Sequence, residues 1–155
     1  NAACNPKPVQ ARPRIWIGGN GEKRTLRIAA RHADGWNTPY TSPDEFKRLS
    51  GVLDMWCEKE GRDPATIERN VNLSFHMAAN PASIDRAEKQ YRETWGPASE
   101  AMRSRGVVIG LPEQAVDLVG RYRDAGAARV NIALRPPNDW DAMHAWAEQV
   151  IPAFA

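Results

Sequence analysis

Cysteine is scarce, with only Cys4 and Cys57 in 155 residues. They form no C-x-x-C pair and no zinc pattern, so no disulfide framework or zinc ribbon organises the chain. Two reduced thiols are expected in a cytoplasmic protein, with Cys57 on a buried helix face. Histidine is equally sparse, at three residues. No two have metal-ligand spacing, which predicts no metal. No apolar run approaches the roughly 18 residues of a membrane span. The opening NAACNPKPVQ has no basic stretch leading into an apolar one, so no signal peptide is expected. An initiator Met is also lacking, which points to processing or a fragment. Neither charge sign dominates: 21 basic and 19 acidic residues are interspersed, which gives no warrant for a nucleic-acid partner. No Walker A loop, Gly-x-Ser-x-Gly elbow or Cys–His pairing is present. What remains is ordinary for a globular chain, with 42% hydrophobic and 26% charged residues. The length fits about one domain, residues 1–155, with residues 1–11 leading into it.

The pattern along the chain alternates strands and helices. Ile15-Trp16-Ile17 reads as a strand ending at Gly18-Gly19, and a helix follows from about Gly21 to His32. Residues 34–37 suit a short second strand. Ser42, Pro43 and Glu45 form a capping signal for a helix carrying Phe46, Leu49, Leu53, Trp56 and Cys57 at helical spacing, with Gly61 as its stop. Residues 70–77 alternate: Val71, Leu73, Phe75 and Met77 form one face, and Asn72, Ser74 and His76 the other. Ser83 is placed to cap a polar helix, whose continuation to Arg105 is irregular. A helix from Pro112 to Gly126, a strand over residues 129–135 and a helix from about Asp139 complete the order. About four βα units predict a parallel sheet with helices outside, the α/β class.

The strongest local signal is the strand running into Gly18-Gly19-Asn20-Gly21-Glu22-Lys23-Arg24 and then a helix. Such a turn lets the backbone approach a ligand closely. The N–H groups of the helix start then favour an anion. The same residues also suit a plain strand-to-helix turn, because no full G-x-G-x-x-G is present. In a (β/α)₈ barrel the apolar strand faces meet the helices. Asn72, Ser74, His76, Asn131 and Arg135 then face the axis, with His76 and Arg135 at the C-terminal strand ends where barrel enzymes place their sites. Arg135 suits an anionic group and His76 a proton or hydrogen bond, or both are interior polar residues satisfied locally. Thr38 and Tyr40 follow the second strand on the same rim.

Pro13-Arg14-Ile15-Trp16-Ile17-Gly18-Gly19, followed by Arg31-His32-Ala33-Asp34-Gly35-Trp36-Asn37, resembles the luciferase-like monooxygenase family, and within it the F420-dependent oxidoreductases. Three further stretches agree: residues 60–64, residues 110–114 and residues 150–154. The resemblance covers nearly the whole chain. It implies a TIM barrel in proteins of roughly twice this length, with the match to the C-terminal half, strands five to eight. The expected architecture is therefore a partial (β/α)₈ barrel. The resemblance implies that Gly18, Gly19, Asn20 and Gly21 lie against the phosphate-bearing tail of F420, or alternatively FMN, with Glu22 joining through its backbone. It places Thr38 on the rim after strand six. His76 and Arg135 are carried over by strand position as substrate-binding residues. Most catalytic groups of the family come from the N-terminal half, so no catalytic residue is assigned. The implied partners are a small-molecule substrate and either further copies of the chain or an N-terminal half-barrel. The implied function is the cofactor-phosphate half of an F420-dependent oxidoreductase. The alternatives are an FMN-dependent monooxygenase and a non-enzymatic half-barrel that serves as an assembly unit or phosphate-ligand module.

Overall fold

Among the described residues five segments extend into strands, and every pairing between them is parallel. A computed structural model describes residues 5–155, so Cys4 lies outside the described residues. The strands are β1 (Trp16–Gly18), β2 (Gly35–Pro39), β3 (Glu68–Met77), β4 (Val107–Gly110) and β5 (Arg129–Ala133). β1 pairs with β2, and β2 pairs with the first half of β3, from Gly35 opposite Glu68 to Pro39 opposite Asn72. β4 continues along the second half, from Ser74 opposite Val107 to Met77 opposite Gly110. β2 and β4 lie end to end on one side of β3. The Tyr40 N–H donates to the Asn72 carbonyl and the Ser74 N–H to the Gly106 carbonyl, both at 2.9 Å. Alternate residues of a strand direct these groups to the same side. β5 takes the other side over Asn70 to Ser74.

The sequence pattern predicts four strands, and the fifth, β4, is the difference. Its four residues, Val-Val-Ile-Gly, show no polar alternation and sit at the end of a stretch broken by Gly96 and Pro97. The partial-barrel architecture stands.

Six α-helices lie among the described residues: α1 (Thr25–His32), α2 (Pro43–Lys59), α3 (Ile84–Trp95), α4 (Ser99–Arg103), α5 (Pro112–Asp124) and α6 (Trp140–Ala145). α2 starts as its sequence dictates. The Ser42 Oγ accepts from the Glu45 N–H at 3.2 Å, Pro43 occupies the first turn, and Gly61 leaves the helix at φ +67°. α1 begins at Thr25 rather than Gly21, leaving a longer loop after β1. Ser83 lies in a tight turn before α3 and makes no cap bond for that helix; the Asn80 side chain caps the turn instead.

One core fills the space between the sheet's outer face and α1, α2, α5 and α6. Leu26, Trp36, Phe46, Leu49, Leu53, Cys57, Val71, Leu73, Met77, Val108 and Tyr122 are buried there. Trp36 stacks on Phe46 with ring centroids 5.7 Å apart, and Tyr122 meets Phe46 edge-on. Each large side chain so buried contributes about 1.5–3 kcal/mol. α3 is different. Its buried Ala87 and Tyr91 do not join this core. Tyr91 packs edge-on against His76, with centroids 5.3 Å apart, so α3 covers the inner side of the sheet at its C-terminal end.

Candidate functional site

Alternation in β3 puts Asn70, Asn72, Ser74 and His76 on the inner face, opposite the apolar set in the core. Two clusters form at the C-terminal end of the sheet, joined by the β2–α2 loop.

The first is the β1–α1 loop. Gly19 holds φ +122°, a conformation that side chains rarely adopt. A Cβ on Gly21 would lie 2.8 Å from the Thr25 hydroxyl. Three contacts fix the loop: Gly19 N–H to the Asn37 carbonyl at 3.0 Å, Trp36 Nε1–H to the Gly19 carbonyl at 2.9 Å, and Leu26 N–H to the Gly21 carbonyl at 3.0 Å. The Asn20 amide donates to the Pro39 carbonyl at 3.2 Å and its oxygen accepts from the Thr38 hydroxyl. The N–H groups of residues 20–24 take no backbone acceptor among the described residues. They lie at the positive end of α1, beside Lys23 and Arg24.

Thr38 does not follow the second strand. β2 extends to Pro39, so Thr38 is inside it, fully buried, with its hydroxyl between Asn20 and Thr41. It braces the loop and shows no face to solvent. The Glu22 carboxylate points away from the loop to Arg48, at 2.8 Å, and this pairing holds its pKa below the usual carboxylate value.

The second cluster gathers His76, Arg135, Tyr40 and Trp95. His76 is 3% exposed. Its Nε2 lies 2.9 Å from the Ser74 hydroxyl, and its Nδ1 is buried with no partner among the described residues. Burial, reinforced by the Arg135 charge, lowers its pKa to about 4, so the ring is neutral at pH 7. Strand β5 ends at Ala133, so Arg135 stands in the loop beyond it rather than in the strand, and it is exposed. Its guanidinium donates to the Tyr40 hydroxyl at 3.3 Å and lies over the Trp95 ring, which meets Tyr40 edge-on. A narrow cavity lined by His76, Gln90, Leu134 and Arg135 connects the two predicted residues. Tyr40 has φ +50°, unusual for a residue with a side chain. It follows Pro39, whose carbonyl holds Asn20, and so links the two clusters. Sequence reasoning missed Trp95, Arg48 and Trp56. Trp95 carries a readable signal, an aromatic residue directly before Gly-Pro, whereas Arg48 looks like an ordinary helix-surface residue and Trp56 like one more member of the apolar stripe of its helix.

A parallel sheet with most of its helices packed on one face and a polar cluster at its C-terminal end is part of a TIM-barrel fold. The family model for luciferase-like monooxygenases matches residues 1–145, and the chain belongs to that family. Among solved structures it is similar to an F420-dependent secondary alcohol dehydrogenase in complex with an F420–acetone adduct, with a TM-score of 0.78 and 16% identity over 96% of this chain and 51% of that one. It is also similar to the coenzyme F420-dependent tetrahydromethanopterin reductase of Methanopyrus kandleri, with a TM-score of 0.68 and 17% identity over 92% and 51%. A third likeness is to the FMN-bound oxygenating constituent of 3,6-diketocamphane monooxygenase from Pseudomonas putida, with a TM-score of 0.65 and 15% identity over 92% and 49%. The chain therefore spans about half the length of these proteins. No curated protein matches it. Among the described residues, no helix is long and apolar enough to cross a membrane.

Proposed function

We propose that this chain, as one domain, is the cofactor-phosphate half of a flavin-type oxidoreductase acting on a small organic substrate, with F420 as the cofactor and FMN as the alternative. The observation that carries the reading is the run of N–H groups over residues 20–24 without backbone acceptors, at a helix start and beside two cations. The loop fits a phosphate: Gly19 and Gly21 stand where a side chain would crowd Thr25. When bound, the cofactor supplies the hydride chemistry. Asn20, Gly21 and Glu22 would hold its phosphate through backbone N–H groups, Gly18 and Gly19 shape the turn, with the Gly19 N–H taken by the Asn37 carbonyl, and Thr38 serves by fixing Asn20. Arg135, stacked on Trp95, binds an anionic or polar group of the substrate, and neutral His76 offers a hydrogen bond at the mouth of the sheet.

The test is a fluorescence titration with FMN, F420 and riboflavin. The expected result is saturable binding, with FMN tighter than riboflavin by at least about tenfold, since the two differ only in the phosphate. Equal affinities would remove the phosphate assignment.

A second reading, a non-enzymatic assembly unit, draws on the inner face. There the side-chain oxygens of Asn37 and Asn70 are buried without partners among the described residues. A further polar layer would satisfy them, whether an N-terminal half-barrel or another copy of the chain. Light scattering separates the two readings: a stable oligomer that binds none of the three flavins favours the assembly unit.

A further inference from the structure

We infer that Trp56 and Arg48, both on α2, are positioning residues for the anion-binding loop; the inference rests on the phosphate reading above. The Trp56 Nε1–H donates to the Glu22 carbonyl at 2.8 Å. The Trp56 ring is itself contacted by the Arg27 guanidinium and the Lys59 ammonium, at 5.4 and 4.9 Å from its centroid. In a trans peptide the C=O and N–H point in opposite directions. Tying the Glu22 carbonyl to α2 therefore turns the Lys23 N–H away from α2, toward the open side of the loop. Trp36 does the same one step earlier: its indole holds the Gly19 carbonyl, which turns out the Asn20 N–H. Two indoles thus set the direction of N–H groups at both ends of the loop, one from the core and one from a neighbouring helix.

Arg48 acts on the charge. Glu22 is the one carboxylate in the loop, and left free it would repel a bound phosphate. The Arg48 Nη2 holds it at 2.8 Å, while the Arg48 Nε holds Glu45 at 2.7 Å, so the guanidinium is fixed from two sides. The pairing draws the Glu22 carboxylate toward α2 and offsets its charge. These groups are half-exposed, so the effect falls with added salt.

The test compares FMN with riboflavin in wild type, Trp56→Phe, Arg48→Met and the Arg48→Met/Glu22→Gln double variant. Trp56→Phe keeps an aromatic side chain and removes the indole N–H donor together with its five-membered ring. Its FMN affinity is expected to fall about 3- to 10-fold with riboflavin affinity unchanged, the size of one lost hydrogen bond. Arg48→Met is expected to lose a similar factor, more at low salt than at high, and the added Glu22→Gln to restore most of it. A structural role would instead lower binding of both ligands together. If Trp56→Phe discriminates FMN from riboflavin as wild type does, or if Glu22→Gln fails to rescue, the inference is overturned while the phosphate reading survives. A wild-type chain that does not discriminate overturns both.

Discussion

The two faces of the sheet are built on opposite principles. The outer face is apolar and closed: Val71, Leu73 and Met77 meet four helices in a continuous core. The inner face is polar and incompletely satisfied. Asn37, Asn70 and His76 each keep a buried polar atom without a partner among the described residues. At its base Glu68 sits between Arg14, at 3.0 Å, and Arg129, at 3.4 Å. Burial of apolar area stabilises the outer face, whereas unpaired buried polar groups each cost about 1–3 kcal/mol. The stability of the fold therefore resides on the helix side. The inner side is where chemistry or a further layer is to be accommodated.

This contrast is broken most directly by Leu53→Ala. Leu53 is fully buried in the outer core, and the substitution should cost about 2–5 kcal/mol in urea unfolding. A loss below about 1 kcal/mol would mean the helix side is not the stable one.

The next effect belongs to the inner face. His76 titrates near 4 in the folded protein against an ordinary 6.5. Its folded pKa is depressed, so the unfolded chain takes up the proton first. Stability is full above about pH 6.5 and falls as the pH drops toward 4, by on the order of 3 kcal/mol. His76→Phe should flatten that window. An unchanged profile would place the pH dependence elsewhere.

At the loop, Gly19→Val puts a β-branched residue at φ +122° and should weaken FMN binding about tenfold or more while riboflavin binding stays constant. The smallest effect should come from Asn70→Leu. Removing an oxygen that has no partner among the described residues should change monomer stability by only about 1 kcal/mol in either direction. If a second polar layer covers the inner face, the same variant should weaken association measured by light scattering. That pair of results separates an inner face that is open from one that is covered.

Much of this was legible in the residues. The alternation over residues 70–77 assigned both faces of β3, and the capping signals of α2 gave its start. The glycine pattern located the loop after β1. What was not legible came from contacts between distant segments. Thr38 reads as a rim residue until β2 is seen to run through it, because strand length depends on its partner β3 and not on local sequence. β4 is too short to show a period. The placement of α3 over the inner face depends on Tyr91 meeting His76, and nothing in the periodicity of α3 says which side of the sheet it will take. Arg48 and Trp56 act on a loop 26 and 34 residues away.

One feature of the topology bears on how the chain reaches this structure. β3 is the only strand that touches β2, β4 and β5, since the pairings of the described strands all pass through it except that of β1 with β2. Until residues 68–77 are in place, the one pairing open to the described strands is that of β1 with β2. β4 and β5 then find their partner across a gap of some thirty and sixty residues of chain. Such long closures slow folding, and they leave the free edges of β3 exposed while synthesis continues. The ten residues of β3 therefore carry three of the four described pairings. A substitution there that barely alters the finished sheet should still lengthen the time the chain spends open to association.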